Sequence, residues 1–183
     1  MIKIRKARLA DASALFAIAR EVSAVPGFLA SEPDEITLKD IRNDLKRLTK
    51  GPGCYYVAES KGKLIGYGYL SPMPLRAVSH VFRLTVVVVA AQINKGVGSR
   101  LLQTLLEWTT KDPKVEKVEL NIRASNQRAL HVYQKFGFFV EGRLRWRARL
   151  PSGELVDELV LAWFPKMTNV YRPRKRMTLK TPA

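Results

Sequence analysis

The sequence predicts an α+β domain, a mixed sheet with helices on both faces. Three observations predict it. The hydrophobic periodicities run in the order β-α-α-β-β-β-α-β-α-β-β, which is neither strict βαβ alternation nor an all-β pattern. One strand segment ends in four consecutive valines, Val86 to Val89, and leads through a glycine-bearing turn into a helix. The 183 residues are 46% hydrophobic and 26% charged, close to the globular average; that excludes wholesale disorder and gives one domain with a proper core.

Each element follows from its own pattern. IKIRKAR (2–8) alternates apolar and basic residues, the period of a half-buried strand. Asp11 is placed to cap a helix with Leu15, Ile18, Ala19 and Val22 inward, stopped by Pro26-Gly27. The loop after it carries Phe28, Leu29, Glu32, Asp34 and Glu35. Thr37 and Asp40 resemble a capping box, opening a helix with Ile41, Leu45 and Leu48 as its stripe. CYYVAES (54–60) and KLIGYGYL (63–70) read as a hairpin turning at Gly62. HVFRLTVVVV (80–89) reads as a strand buried on both faces, because β-branched runs are poor helix formers. Val97, Leu101, Leu102, Leu105 and Trp108 recur at helical spacing; EKVELNI (116–122) alternates as a strand. Ser125 and Asn126 open a last helix with Ala129, Leu130, Tyr133 and Phe136 on one side and Gly137 at its C′ position. FFVEG, RLRWRARL and LVDELVLAWF complete the sheet.

Composition narrows the function classes. One cysteine, Cys54, excludes a disulfide framework and is read as structural; two histidines, His80 and His131, do not make a zinc site. No run of 18 apolar residues and no apolar signal core is present, so the expectation is a cytoplasmic protein without membrane contact. Lys and Arg number 32 against 16 acids, a net charge of +16. Residues 165–183, read as a basic tail after a domain spanning 1–164, hold Lys166, Arg172, Arg174, Lys175, Arg176 and Lys180 and no acid. Such a field draws polyanions, whether nucleic acid or phosphorylated cofactors. In RLRWRARL, strict alternation puts Arg143, Arg145, Arg147 and Arg149 on one face.

The junction VVVVAAQINKGVGSR (86–100) has the makings of an anion site. Glycine lets backbone approach a ligand, and the first amides of a helix lack partners at its positive end. It is not a Walker loop, since Lys95 precedes Gly96, and not a dinucleotide fingerprint, since Leu101 stands where a third small residue is needed. Further along, RASNQRALHVYQKFGF (123–138) brings Asn126 and Tyr133 seven positions apart, about two helical turns and roughly 10 Å along one face.

Together these two junctions resemble the GNAT N-acetyltransferases. Gly96 and Gly98 match the (Q/R)-x-x-G-x-(G/A) motif, and Asn126, Ala129, Tyr133, Gly137 and Phe138 match N-x-x-A-x-x-x-Y-x-x-x-G-F. The likeness spans about residues 2–164 and is strongest over 80–162. The segment 141–162 is similar to the branch with amino-acid and ribosomal-protein N-terminal acetyltransferases. The resemblance implies a twisted, mostly antiparallel sheet with a V-shaped splay that receives acetyl-CoA. It implies backbone contacts to the pantetheine arm from Val86, Val87 and Val88. Asn94, Lys95, Gly96, Val97, Gly98 and Ser99 would wrap the pyrophosphate. Asn126 would bond the arm and Tyr133 would be the general acid. The acceptor would be a primary amine on a small molecule, amino acid or peptide N-terminus, acetylated by direct transfer. A ribosome or nucleic-acid contact through the basic surface and a homodimer are further candidate associations. The alternative reading is a weakly catalytic or non-catalytic protein of this fold that binds RNA.

The chain departs from the family's pattern at the base. The two positions where relatives carry a glutamate hold Asn121 and Arg83, and Ile93 replaces the motif's Gln/Arg. A water chain to backbone carbonyls is the first expectation, with Glu32, Asp157, Glu158 or His80 as substitutes.

Overall fold

Lys61 and Gly62 both adopt positive φ, 49° and 74°. That is the turn whose twist suits a two-residue hairpin. In the computed structural model, which describes residues 1–25, 29 and 31–166, this turn joins β2 (Cys54–Ser60) to β3 (Lys63–Pro72). β1 (Lys3–Lys6) pairs antiparallel with β2, and β4 (Val81–Val88) antiparallel with β3. α3 (Val97–Thr109) then crosses over to β5 (Lys117–Arg123), which runs parallel to β4. β6 (Phe139–Arg149) and β7 (Leu155–Trp163) close a seven-stranded sheet of order β1-β2-β3-β4-β5-β7-β6. The expected element order and helix-covered mixed sheet are both present. No helix among the described residues is long and apolar enough to cross a membrane. Phe28 and residues 167–183 lie outside the described residues.

The helices divide between the two faces. α1 (Ala12–Ser23) and α2 (Leu38–Lys50) pack Leu15, Ile18, Leu45 and Leu48 on Tyr55, Val57, Tyr67 and Val87. α3 and α4 (Gln127–Lys135) cover the other face, where Leu102, Leu105 and Phe138 meet Phe82, Leu84, Leu120 and Leu161. Phe82 and Leu84 thus face α3, while Val87 faces α1 and α2, so β4 is buried on both sides as its valines predict.

The helix ends follow the sequence with one correction. Asp40 N–H donates to Thr37 Oγ1 (3.1 Å), and that hydroxyl donates to Asp40 Oδ2 (2.5 Å). At α4, the Ala129 N–H donates to Asn126 Oδ1, and Gly137 (φ 88°) closes a Schellman turn with Phe138 N–H on the Tyr133 carbonyl. Asp11 makes no cap to α1. Its carboxylate accepts instead from Arg8 N–H (2.7 Å) and pairs with Arg5 (2.8 Å), drawn outward by the stronger charged donor.

The sheet splits at its centre. β4 and β5 pair only from Val81↔Lys117 to Arg83↔Glu119. Beyond that, β4 stays bonded to β3 as far as Val88, and β5 stays bonded to β7 as far as Arg123, so the two strands part into a wedge. The arginine-rich strand departs from strict alternation. Its pairing with β7 shifts between Leu144 and Ala148, and Trp146 takes φ 50°, held by its N–H donating to Asp157 Oδ1 at 2.8 Å. Trp146 is 74% exposed and Arg147 turns to border the wedge, so there is no uniform arginine face.

Candidate active site

The Met73 N–H bonds to the Val81 carbonyl, and the Val89 N–H to the Ile65 carbonyl. Alternation between these two points fixes which backbone groups of β4 turn to β3 and which to the gap. Val86 and Val88 present N–H and C=O to the wedge, and Leu84 presents its C=O, its N–H being spent on the last rung of the ladder, to the Glu119 carbonyl. Val87 turns its own to β3: a Cβ on Gly66 would come 2.7 Å from the Val87 oxygen. Of the three valines expected to meet the donor, Val86 and Val88 therefore turn their main-chain groups to the gap. The Val87 groups are already used by β3, and the Leu84 carbonyl, which the motif did not single out, faces the gap beside them.

At the open end of the wedge, Asn94 (φ 63°) and Gly96 (φ 77°) swing the chain into α3. Gly96 offers no side-chain cap, so the amides of Val97, Gly98 and Ser99 point out of the helix without a partner. A Cβ on Gly98 would touch only Val88 Cγ2 at 3.6 Å, so the backbone there stays open to close approach. Asn94, Gly96, Val97, Gly98 and Ser99 all line one cavity of about 580 Å³, with Val86, Val87 and Val88. Lys95 is exposed beside it and is not part of the lining.

The same cavity reaches Asn126 and Tyr133. Asn126 commits Oδ1 to the α4 cap and leaves its amide N–H groups out of that bond, so capping is compatible with a ligand contact. The Tyr133 ring stands edge-on to Phe138 with centroids 5.4 Å apart. Burial pushes its phenol up to about 12, so it holds its proton at every physiological pH.

The other end of the cavity is charged. Arg83, Arg123, Arg128 and Arg147 line it with a single acid, Glu158, among the described residues. Glu158 is only 8% exposed; Arg123 Nη1 donates to one carboxylate oxygen and Asn121 Nδ2 to the other at 3.1 Å. The remaining sequence candidates lie elsewhere. Glu32, Asp157 and His80 are not in the lining, and Glu35 accepts from the Glu32 N–H at the surface. His131 is exposed on α4. Leu29 does reach the cavity, beside Val22. Tyr55, Tyr67 and Tyr69 form a packed ring cluster, and Cys54 is buried, its thiol pushed up to about 12. Arg123 escaped the sequence reading and Arg147 was read only as part of an arginine face, because β5–β7 pairing and the β6 bulge bring them to the cavity, and neither leaves a local signal.

A protein-family model, described as the acetyltransferase (GNAT) family, matches residues 17–138. The chain belongs to the GNAT family. It is an acetyltransferase, with acetyl-CoA as its donor. Among GNAT relatives, it is similar to an L-amino acid N-acetyltransferase of Escherichia coli K12, 31% identical over 118 residues that span 64% of this chain and 72% of the relative. Its fold matches a GNAT acetyltransferase from Streptococcus pneumoniae with a TM-score of 0.84 at 26% identity, over 90% of this chain and 99% of that one. A ribosomal-protein-alanine N-acetyltransferase from Brucella melitensis matches with a TM-score of 0.80, also at 26% identity, over 88% and 99%. The wedge geometry fits the donor. It has unpaired main-chain groups along β4, a bare helix N-terminus for anionic oxygens, and a volume within the range of ligand sites.

Proposed function

We propose that this GNAT protein acetylates the primary amine of an amino acid, a similarly small amine or a peptide N-terminus by direct transfer. The observation that carries this reading is the wedge, which passes through the sheet. Tyr133 and the α3 amides belong to the face covered by α3 and α4. Leu29, from the loop after α1, and Val22 of α1 reach the same cavity from the opposite side. Donor and acceptor therefore have separate approaches to one gap.

Acetyl-CoA supplies an activated acetyl thioester. The amides of Val97, Gly98 and Ser99 hold its pyrophosphate, Asn126 bonds the arm, and the gap-facing groups of Leu84, Val86 and Val88 align it as an added strand. An N–H on that β4 edge polarises the carbonyl oxygen. Tyr133 donates a hydrogen bond to sulfur. With its proton held to about 12 and an ordinary thiol near 8.5, complete transfer would run uphill by roughly three orders of magnitude. Its role is to stabilise charge as it grows on the leaving group. An amine of ordinary pKa near ~10.4 enters mostly protonated, and the neighbouring arginines favour its neutral form. The E. coli relative's activity on L-amino acids supports a small zwitterionic acceptor, and the arginines offer partners for its carboxylate. The test is thiol release from acetyl-CoA against L-amino acids, polyamines, aminoglycosides and N-terminal peptides. Turnover confined to aminoglycosides refutes this acceptor class.

A further inference from the structure

We propose that Glu158 is the group that binds the acceptor amine and takes its proton, an inference that rests on the acetyltransferase reading above. Glu158 is the one acid among the described residues that line the wedge, and it is buried there. Its orientation is fixed twice, by Arg123 on one oxygen and by Asn121 on the other. Each oxygen keeps a further lone pair for an incoming N–H. Asn121 thus has a function in place of the missing acid: it holds the carboxylate that β7 supplies.

The register puts Glu158 on the correct side. Leu120 and Leu161 are paired and face α3 and α4, so Arg123 and its partner Glu158, displaced by three residues along each strand, face the opposite side. Tyr133 packs on the α3–α4 side. The amine adds to one face of the planar thioester and sulfur leaves from the tetrahedral adduct. A base on one side of the sheet and a donor to sulfur on the other can therefore serve the two steps separately.

In the step itself, the amine enters neutral, having left one proton in solvent. Its lone pair forms the N–C bond, the C–S bond breaks with its electron pair on sulfur, and the excess N–H proton passes to the Glu158 carboxylate and then to solvent. Sulfur, steadied by the Tyr133 hydroxyl, takes its proton from solvent. Arg147, on the β6 bulge, reaches the same end of the cavity as a partner for an acceptor carboxylate.

The experiment compares the wild type with Glu158→Gln, Glu158→Asp and Glu158→Ala. The probes are the twenty L-amino acids, small primary amines and N-terminal peptides with acetyl-CoA, read by thiol release, by calorimetry of acetyl-CoA alone and by melting. The expected result is acetyl-CoA affinity within about threefold of wild type in all variants, since Glu158 faces the opposite side of the sheet from Tyr133 and the face covered by α3 and α4. Glu158→Gln should lose kcat by about 10²-fold or more, and Glu158→Asp, which keeps the charge beside Arg123 and hence the fold, by about tenfold. Added formate should restore turnover to Glu158→Ala. Full turnover in Glu158→Gln or Glu158→Asp overturns the proposal. So does a loss in Glu158→Ala that tracks melting and ignores formate, or a wild type that binds acetyl-CoA and acetylates no amino acid, small amine or N-terminal peptide. A wild type that fails to bind acetyl-CoA refutes the acetyltransferase reading instead.

Discussion

Tyr133 carries no hydrogen bond from its hydroxyl among the described residues, and desolvation alone lifts its phenol up to about 12. A protonated, unengaged O–H at the end of a coenzyme-sized cavity is free to donate, and removing it should touch little else. Tyr133→Phe is therefore expected to slow turnover by about 10²-fold, at the low end for a proton-donating side chain. Acetyl-CoA affinity measured by calorimetry should change less than threefold, and full activity would strip Tyr133 of this role. Asp11 illustrates a residue whose charge serves the fold. Its hydrogen bond from Arg5 leads, with the Arg8 N–H also contributing, in holding its carboxyl below the usual range. A depressed carboxyl stabilises the native state fully above its unfolded value near ~3.9 and ceases to do so as pH falls through the lower folded value. Asp11→Asn should thus cost about 1–3 kcal/mol in urea denaturation at pH 7. The gap should close in strongly acidic solution; a deficit that persists unchanged there would point to packing instead of charge.

Among the elements, the start of α3 offers a test that separates stability from binding. Gly96 sits at φ 77° with nothing near its Cβ position, so Gly96→Ala suffers only left-handed backbone strain, about 1–2 kcal/mol. Gly98 has no positive φ and room for a methyl against Val88, so Gly98→Ala should raise the stability of the free protein by up to about 1 kcal/mol. It should nevertheless weaken acetyl-CoA, because the methyl occupies the wedge; tighter binding would remove the α3 start from the donor site. This junction was legible in the sequence because everything it needs is local: valines for a strand buried twice over, a turn with two positive φ angles, a helix without a cap. The Thr37–Asp40 and Asn126–Gly137 helix ends were legible for the same reason. What escaped depends on neighbours distant along the chain. Asp11 reads as a helix cap until Arg5 of β1 competes for it. RLRWRARL reads as an even strand because no side chain announces that Trp146 will bulge toward the Asp157 carboxylate. The valine strand could not reveal which carbonyls face the gap until its register with β3 set the alternation, so Val87 was read as a donor contact and Leu84 was passed over. Glu158 stood unranked among four candidates, because only the β5–β7 register brings it to Asn121 and Arg123.

For the molecule as a whole, the split sheet makes stability depend on what fills it. Three residue pairs join β4 to β5, so β1 to β4 and the β5–β7–β6 unit meet along a short seam with a wedge beyond it. A ligand lying along both wedge edges bridges the halves and binds only the folded state. At a hundredfold excess over its Kd, acetyl-CoA should add about 2.7 kcal/mol. For a chain of this size that raises Tm by roughly 5–11 °C. The donor is a polyanion and the chain carries +16, so part of this gain is electrostatic and should shrink as salt shortens the screening length from about 10 Å at 0.1 M. Charge alone would give a similar rise with any polyphosphate, so hydrogen exchange supplies the discriminating measurement. Donor in the wedge should protect the gap-facing Val86 and Val88 amides and those of Val97, Gly98 and Ser99, while Val87, already bonded to β3, gains little. Protection spread evenly over the basic surface, or equal at Val87 and its neighbours, would mean that the anion is held by the field and not by the gap.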